Sequence, residues 1–175
     1  MSVLRWSSMT WDNQFLELFG RCLTSYREGN TDFMSYYSED DLKFLATIGY
    51  KPREIFDFVE DFADEGVPSE STALLIASVR RDYFMTIQKG QASDHEVSRS
   101  DVPSFGEETE GIAYLPRIFA KATAKLKGEL DPDMMYGCGG DRNFLSEHGI
   151  HPADFLRHVW AADGDLSKVA AFLRR

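Results

Sequence analysis

Apolar residues recur at helical spacing from the start of the chain. Phe15, Leu18, Phe19, Cys22 and Tyr26 draw one stripe and predict a helix over 11–27, because positions three and four apart share a helix face. One hundred residues later Leu115, Ile118, Phe119, Ala122 and Leu126 draw the same stripe. There Pro116 suits a first helical turn. Each stripe runs into a turn-rich stretch, 28–31 and 128–132. A second helix is predicted over 39–48, with Ser38 as N-cap and Asp41 three residues on as in a capping box. Gly49 stands where a left-handed C-terminal cap is needed. Pro52 then opens a third helix, whose Ile55, Phe56, Val59 and Phe62 face inward. Asp141, Gly149, Pro152, Phe155, Leu156, Val159 and Trp160 repeat this order. Fourth helices are predicted over 70–88 behind Ser69 and over 166–175 behind Asp165, each containing an Arg-Arg pair, Arg80-Arg81 and Arg174-Arg175.

Laid over 115–161 without gaps, residues 15–61 coincide at nine positions: Phe19/Phe119, Met34/Met134, Tyr36/Tyr136, Asp41/Asp141, Phe44/Phe144, Leu45/Leu145, Gly49/Gly149, Pro52/Pro152 and Val59/Val159. Random pairing would give about three. The expected fold is therefore all-α, two tandem four-helix modules packed with pseudo-twofold symmetry. The modules occupy 1–88 (the diverged copy) and 111–175, and a flexible linker rich in Gly, Ser, Asp and Glu covers 89–110. Modules of this size are marginal alone and gain by packing on each other. A monomer with an internal pseudo-dimer, or a homodimer, follows.

Composition narrows the function classes. The net charge of −10 divides as −7 over 1–100 and −3 over 101–175, and no lysine/arginine stripe is present to neutralise phosphates. Nucleic acid and anionic membranes are disfavoured as partners. No apolar run approaches the roughly 20 residues of a membrane span. The opening Met1-Ser2-Val3-Leu4-Arg5-Trp6-Ser7-Ser8 has no apolar core and reads as no signal peptide. Two cysteines, Cys22 and Cys138, at unmatched positions fit a reducing cytoplasm.

Tyr136-Gly137-Cys138-Gly139-Gly140-Asp141 is the most pointed local feature. A cysteine at a helix start can be activated by the dipole, and flanking glycines permit close backbone approach by a ligand. The structural alternative makes Cys138 and Asp141 capping residues, as Ser38 and Asp41 are in the first copy. His148, His151 and His158 match no zinc spacing; no metal and no cofactor are expected. The segments 39–64 and 139–162 have a helix-turn-helix outline, but Glu54, Asp57, Glu60, Asp61, Asp64 and Glu65 would oppose a DNA groove. Arg117 could hold an anion or a structural ion pair.

Gly111-Ile112-Ala113-Tyr114-Leu115-Pro116-Arg117, then Tyr136 to Asp141, and Asn143-Phe144-Leu145 ending in Gly149-Ile150, resemble the bacterial family known as domain of unknown function 5069. That family shows a Leu-Pro-Arg helix start, a Tyr-x-Cys-x-x-Asp element and a Phe-Leu…Gly-Ile helix end. The resemblance covers about 101–175, with 11–88 as a diverged copy that lacks the Pro-Arg start and the cysteine. It implies a helical fold and no established activity. Any site built on the matching positions would involve Arg117, Tyr136, Cys138 and Asp141. The expected function is a non-catalytic module that binds a protein or a small-molecule ligand. The alternative is an enzyme with Cys138 as nucleophile, a histidine base and Arg117 orienting a small anionic substrate. A regulator acting through protein contacts is a further reading.

Overall fold

The computed structural model describes residues 9–175; the opening segment 1–8, read above as no signal peptide, lies outside the described residues. The helices run α1 (Trp11–Arg27), α2 (Glu39–Thr47), α3 (Pro52–Glu65), α4 (Glu70–Thr86), α5 (Leu115–Lys127), α6 (Gly139–Glu147), α7 (Pro152–Ala162) and α8 (Leu166–Leu173). The fold is mostly helical, as the periodicity requires. No helix among the described residues is long and apolar enough to cross a membrane.

Local chemistry explains the boundaries. Ser38 accepts the Asp41 backbone N–H, and the Asp41 carboxylate accepts the Ser38 N–H, completing the capping box of α2. Gly49 (φ 68°) and Gly149 (φ 65°) both stop a helix in the left-handed conformation. After each, the same pair of bonds recurs: Gly49 N to Ala46 O with Tyr50 N to Leu45 O, and Gly149 N to Ser146 O with Ile150 N to Leu145 O. This is the Schellman arrangement. Pro52 and Pro152 stand at the first positions of α3 and α7, where a missing N–H costs nothing.

The all-α expectation needs one amendment. Glu108–Thr109 (β1) pairs antiparallel with Ile112–Ala113 (β2) across a two-residue turn, whose Glu110 and Gly111 both have positive φ, as a tight hairpin demands. Strands of two residues are too short to show alternation. Residues 89–110, expected as a flexible linker, make specific contacts along the second half. Val97 N–H donates to Glu129 O at 2.8 Å, Ser93 to the Glu129 carboxylate at 2.7 Å, and Arg99 N–H to Asp131 at 3.0 Å. Val102 is buried.

One contiguous core runs through both halves, from Phe15, Phe19, Ile55 and Val59 to Leu115, Ile118, Phe155 and Leu156. The docking is one-sided. α4 packs on α1 and α3 and also on α5 and α7, whereas α8 packs on α5, α7 and β1. Arg80 of α4 is buried and donates to Leu126 O at 2.8 Å and to Gln88 at 2.7 Å. Its sequence counterpart Arg174 is exposed and bonds Glu110.

Candidate functional site

The residues singled out in the second half surround a buried ion pair that periodicity did not reveal. The Asp141 carboxylate is fully buried and accepts from the Lys121 ammonium at 2.7 Å, the Tyr114 hydroxyl at 2.7 Å and the Gly137 N–H at 2.8 Å. The Lys121 ammonium lies 3.2 Å from the Cys138 sulfur, so Lys121 brings Cys138 and Asp141 together. Cys138 occupies the N-cap of α6, but its side chain caps nothing. Tyr136 turns elsewhere: its hydroxyl donates to Pro152 O at 2.7 Å, and burial pushes its pKa well up. Arg117 donates to Pro103 O at 2.8 Å and lies 4.1 Å from the Phe105 ring centroid. Each of these two is thus bonded to a different backbone carbonyl and not to the Asp141 carboxylate.

The glycines of this motif make room for the protein's own side chains. A Cβ on Gly140 would stand 2.9 Å from the Tyr114 hydroxyl oxygen, and one on Gly137 (φ 90°) would stand 3.2 Å from Phe58. Tyr114 itself holds a left-handed φ of 70° at the N-cap of α5, a costly conformation for a side-chain-bearing residue. Burial and the neighbouring Asp141 raise its pKa.

The first half carries the matching pair, Arg21 with Asp41 at 2.6 Å. Side-chain exposure separates the two: 50% and 13% for Arg21 and Asp41, 3% and 0% for Lys121 and Asp141. The hydroxyl that bonds Pro52 O is Tyr37, at 2.7 Å, and not Tyr36, which bonds Asn30 O. The ungapped identity Tyr36/Tyr136 therefore conceals a one-residue slip in the approach to the second helix.

The histidines have separate tasks. His148 lies against Phe144 O at 2.9 Å, His151 accepts the Ala153 N–H at 3.1 Å, and His158 stacks on Phe172. Cys22 is buried in the core, and that burial pushes its thiol up to about 11.

No family model, curated protein or solved structure matches this chain.

A second constellation lies where the two halves meet. A cleft of about 290 Å³ is walled by Phe33, Met34, Pro52, Leu130, Pro132 and Met134. The charged groups lining it are Lys51, Arg53, Glu54, Asp57 and Asp131. Arg53 donates its Nε to Asp57 at 2.9 Å and lies over the Phe33 and Phe56 rings at 5.2 and 5.4 Å. Burial pushes the Asp57 carboxyl up to about 6, although Arg53 pulls the other way. Beneath, Glu54 meets the buried Lys125 ammonium at 2.7 Å, and Tyr50 accepts from the same ammonium at 3.0 Å. Burial opposes the charge on Lys125, yet Glu54 and Tyr50 outweigh it and hold its pKa above the ordinary lysine value. A mainly apolar cleft with a few convergent polar groups and a perturbed carboxyl is the usual form of a small-molecule site.

Sequence reading missed this cleft, the buried Lys125 behind it and the buried Lys121 beside Asp141. The available signal was the spacing of Arg117, Lys121 and Lys125, three cations four residues apart on the face of α5 that also carries Ile118 and Ala122.

Proposed function

We propose that the protein is a non-catalytic binding module built from two related helical units, and that a small molecule binds in the cleft between them. The observation that carries this reading is the cleft itself, an apolar-walled space with a perturbed carboxyl, Asp57, among its lining groups. Met34 and Met134, one from each unit, line the same cleft. Flexible thioethers suit a surface that adapts to its ligand. The recurrent Schellman caps, the hydroxyl bonds to Pro52 and Pro152, and the ion pairs one hundred residues apart support the doubling. The expected pseudo-twofold packing finds no support in the one-sided docking of α4, so the proposal keeps the doubling and drops the twofold. The family resemblance over 101–175 fits a helical unit and adds no activity.

The test is thermal unfolding across a metabolite library, run on the wild type and on Met34→Trp. Met34 is half exposed at the cleft, so the larger ring fills the space without entering the core. A ligand at one hundred times its Kd adds about 2.7 kcal/mol, roughly 5–11 °C for a chain of this length. The expected result is a stabilising compound whose effect disappears in Met34→Trp. No stabilising compound, or equal shifts in both proteins, would refute the reading.

A second reading keeps Cys138 as a nucleophile, supported by the Lys121 ammonium 3.2 Å from its sulfur, since cationic neighbours favour reactive cysteines. It expects iodoacetamide to label Cys138 much faster than the buried Cys22 near neutral pH. Equally slow labelling of the two would remove it.

A further inference from the structure

The cleft's charged groups are not equally engaged, and the imbalance bears on what fits there. Both Glu54 oxygens have donors, Lys125 on one and the Lys51 N–H at 2.8 Å on the other. Both Asp131 oxygens do as well, from the backbone N–H groups of Asp133 at 2.8 Å and Arg99 at 3.0 Å. Asp57 has one oxygen on Arg53 Nε, and its other oxygen is the one carboxylate oxygen of these three groups that accepts no hydrogen bond among the described residues.

The cations differ. Among the described residues the Lys51 ammonium has no ion-pair partner, and the two terminal nitrogens of Arg53 make no hydrogen bond. The Arg53 guanidinium is packed near two aromatic rings and bonded at Nε, which restrains its plane. A planar guanidinium with a free terminal edge matches the two oxygens of a carboxylate. Unengaged donors therefore outnumber unengaged acceptors in a cleft whose remaining walls are apolar.

We infer that the cleft takes a small monocarboxylic acid with an apolar body, its carboxylate held by Arg53 and Lys51 and its body against Phe33, Met34, Leu130 and Met134. This assignment rests on the proposed binding function and sharpens it to a ligand class. A long chain suits the site less, since the volume is near the lower end of the roughly 300–1,000 Å³ common for such pockets.

Phenylacetate, hexanoate, phenylacetamide and phenethylamine are the probes, titrated into the full chain by calorimetry or ¹H–¹⁵N NMR. At least one of the two acids is expected to bind, and phenylacetate at least roughly tenfold more tightly than its amide, with the amine weaker still. Arg53→Gln should abolish the preference for acid over amide, weakening phenylacetate far more than phenylacetamide. Lys51→Gln, on an exposed side chain, gives the same readout if Arg53→Gln does not fold. Equal binding of acid and amide, or preference for the amine, overturns the ligand class and leaves the cleft reading standing. Acid binding that survives Met34→Trp places the carboxylate elsewhere and overturns the assignment. If neither acid binds while another library compound shows Met34→Trp-sensitive stabilisation, the class alone fails. If nothing in probes or library binds, both fail.

Discussion

Replacing Arg21 and Lys121 separately by methionine asks how far burial sets the worth of an ion pair in this fold. The two cations stand one hundred residues apart on first helices of the two halves, and each faces an aspartate at the matched position. The Arg21–Asp41 pair has the better geometry, with guanidinium contacts at 2.6 and 3.3 Å. Half of the arginine side chain is in water, however, and exposed pairs are worth about 0–1 kcal/mol. Removing Lys121 leaves a carboxylate with no exposed surface and only the Tyr114 hydroxyl and the Gly137 N–H as partners. Breaking a buried pair in this way costs about 3–5 kcal/mol. For a chain of this length that corresponds to a loss of roughly 6–20 °C in Tm, against a few degrees at most for Arg21→Met. Urea unfolding followed by circular dichroism supplies the difference in free energy, provided the slopes agree. Adding Asp141→Asn to Lys121→Met removes the stranded charge and should recover part of the loss. Equal costs for the two single variants, or no recovery in the double variant, would refute the reasoning.

The Asp57 carboxyl, pushed up to about 6 from an ordinary 3.8 by burial, binds its proton more tightly in the folded chain than in the unfolded one. The resulting stabilisation is full below about pH 4 and disappears as pH rises through 6, a change of about 3 kcal/mol. Asp57→Asn should therefore gain on the wild type by up to that amount between pH 4 and 7, and a pH-independent gap in urea midpoints would contradict it. Gly149→Ala should cost about 1–2 kcal/mol through left-handed backbone strain alone, because its Cβ would meet nothing within 4 Å. Gly49→Ala should cost at least about 1 kcal/mol more, because its Cβ would stand 2.6 Å from the Phe84 ring; equal costs would show that the ring yields freely.

The pattern of the chain made much of the helical frame legible. Stripes of apolar residues, Ser38 with Asp41, Gly49 and Gly149, and Pro52 and Pro152 are local signals, and each acts through bonds within a few residues of itself. The candidate site was less legible. Cys138 and Asp141 do share a cluster, but only through Lys121, while Arg117 and Tyr136 serve separate carbonyls. Glycines that suggested room for a ligand admit Tyr114 and Phe58 instead. In the hairpin, Glu110-Gly111 was a usable turn signal, and its strands were too brief to support it.

Local pattern in the sequence was enough for the helices, for the Ser38 and glycine caps and for the faces turned inward, because helical periodicity and capping are satisfied by neighbours along the chain; Cys138 stands at a helix start without capping it. Only the tertiary structure decided that Lys121 and Lys125 are buried beside Asp141 and Glu54. It alone placed α4 across both halves and brought Met34 and Met134 into one cleft. Those outcomes depend on which distant element covers a given face. A side chain's spacing shows the face it belongs to but not what will pack against it, and that covering element sets the dielectric, the partners and the free donors from which a binding site is made.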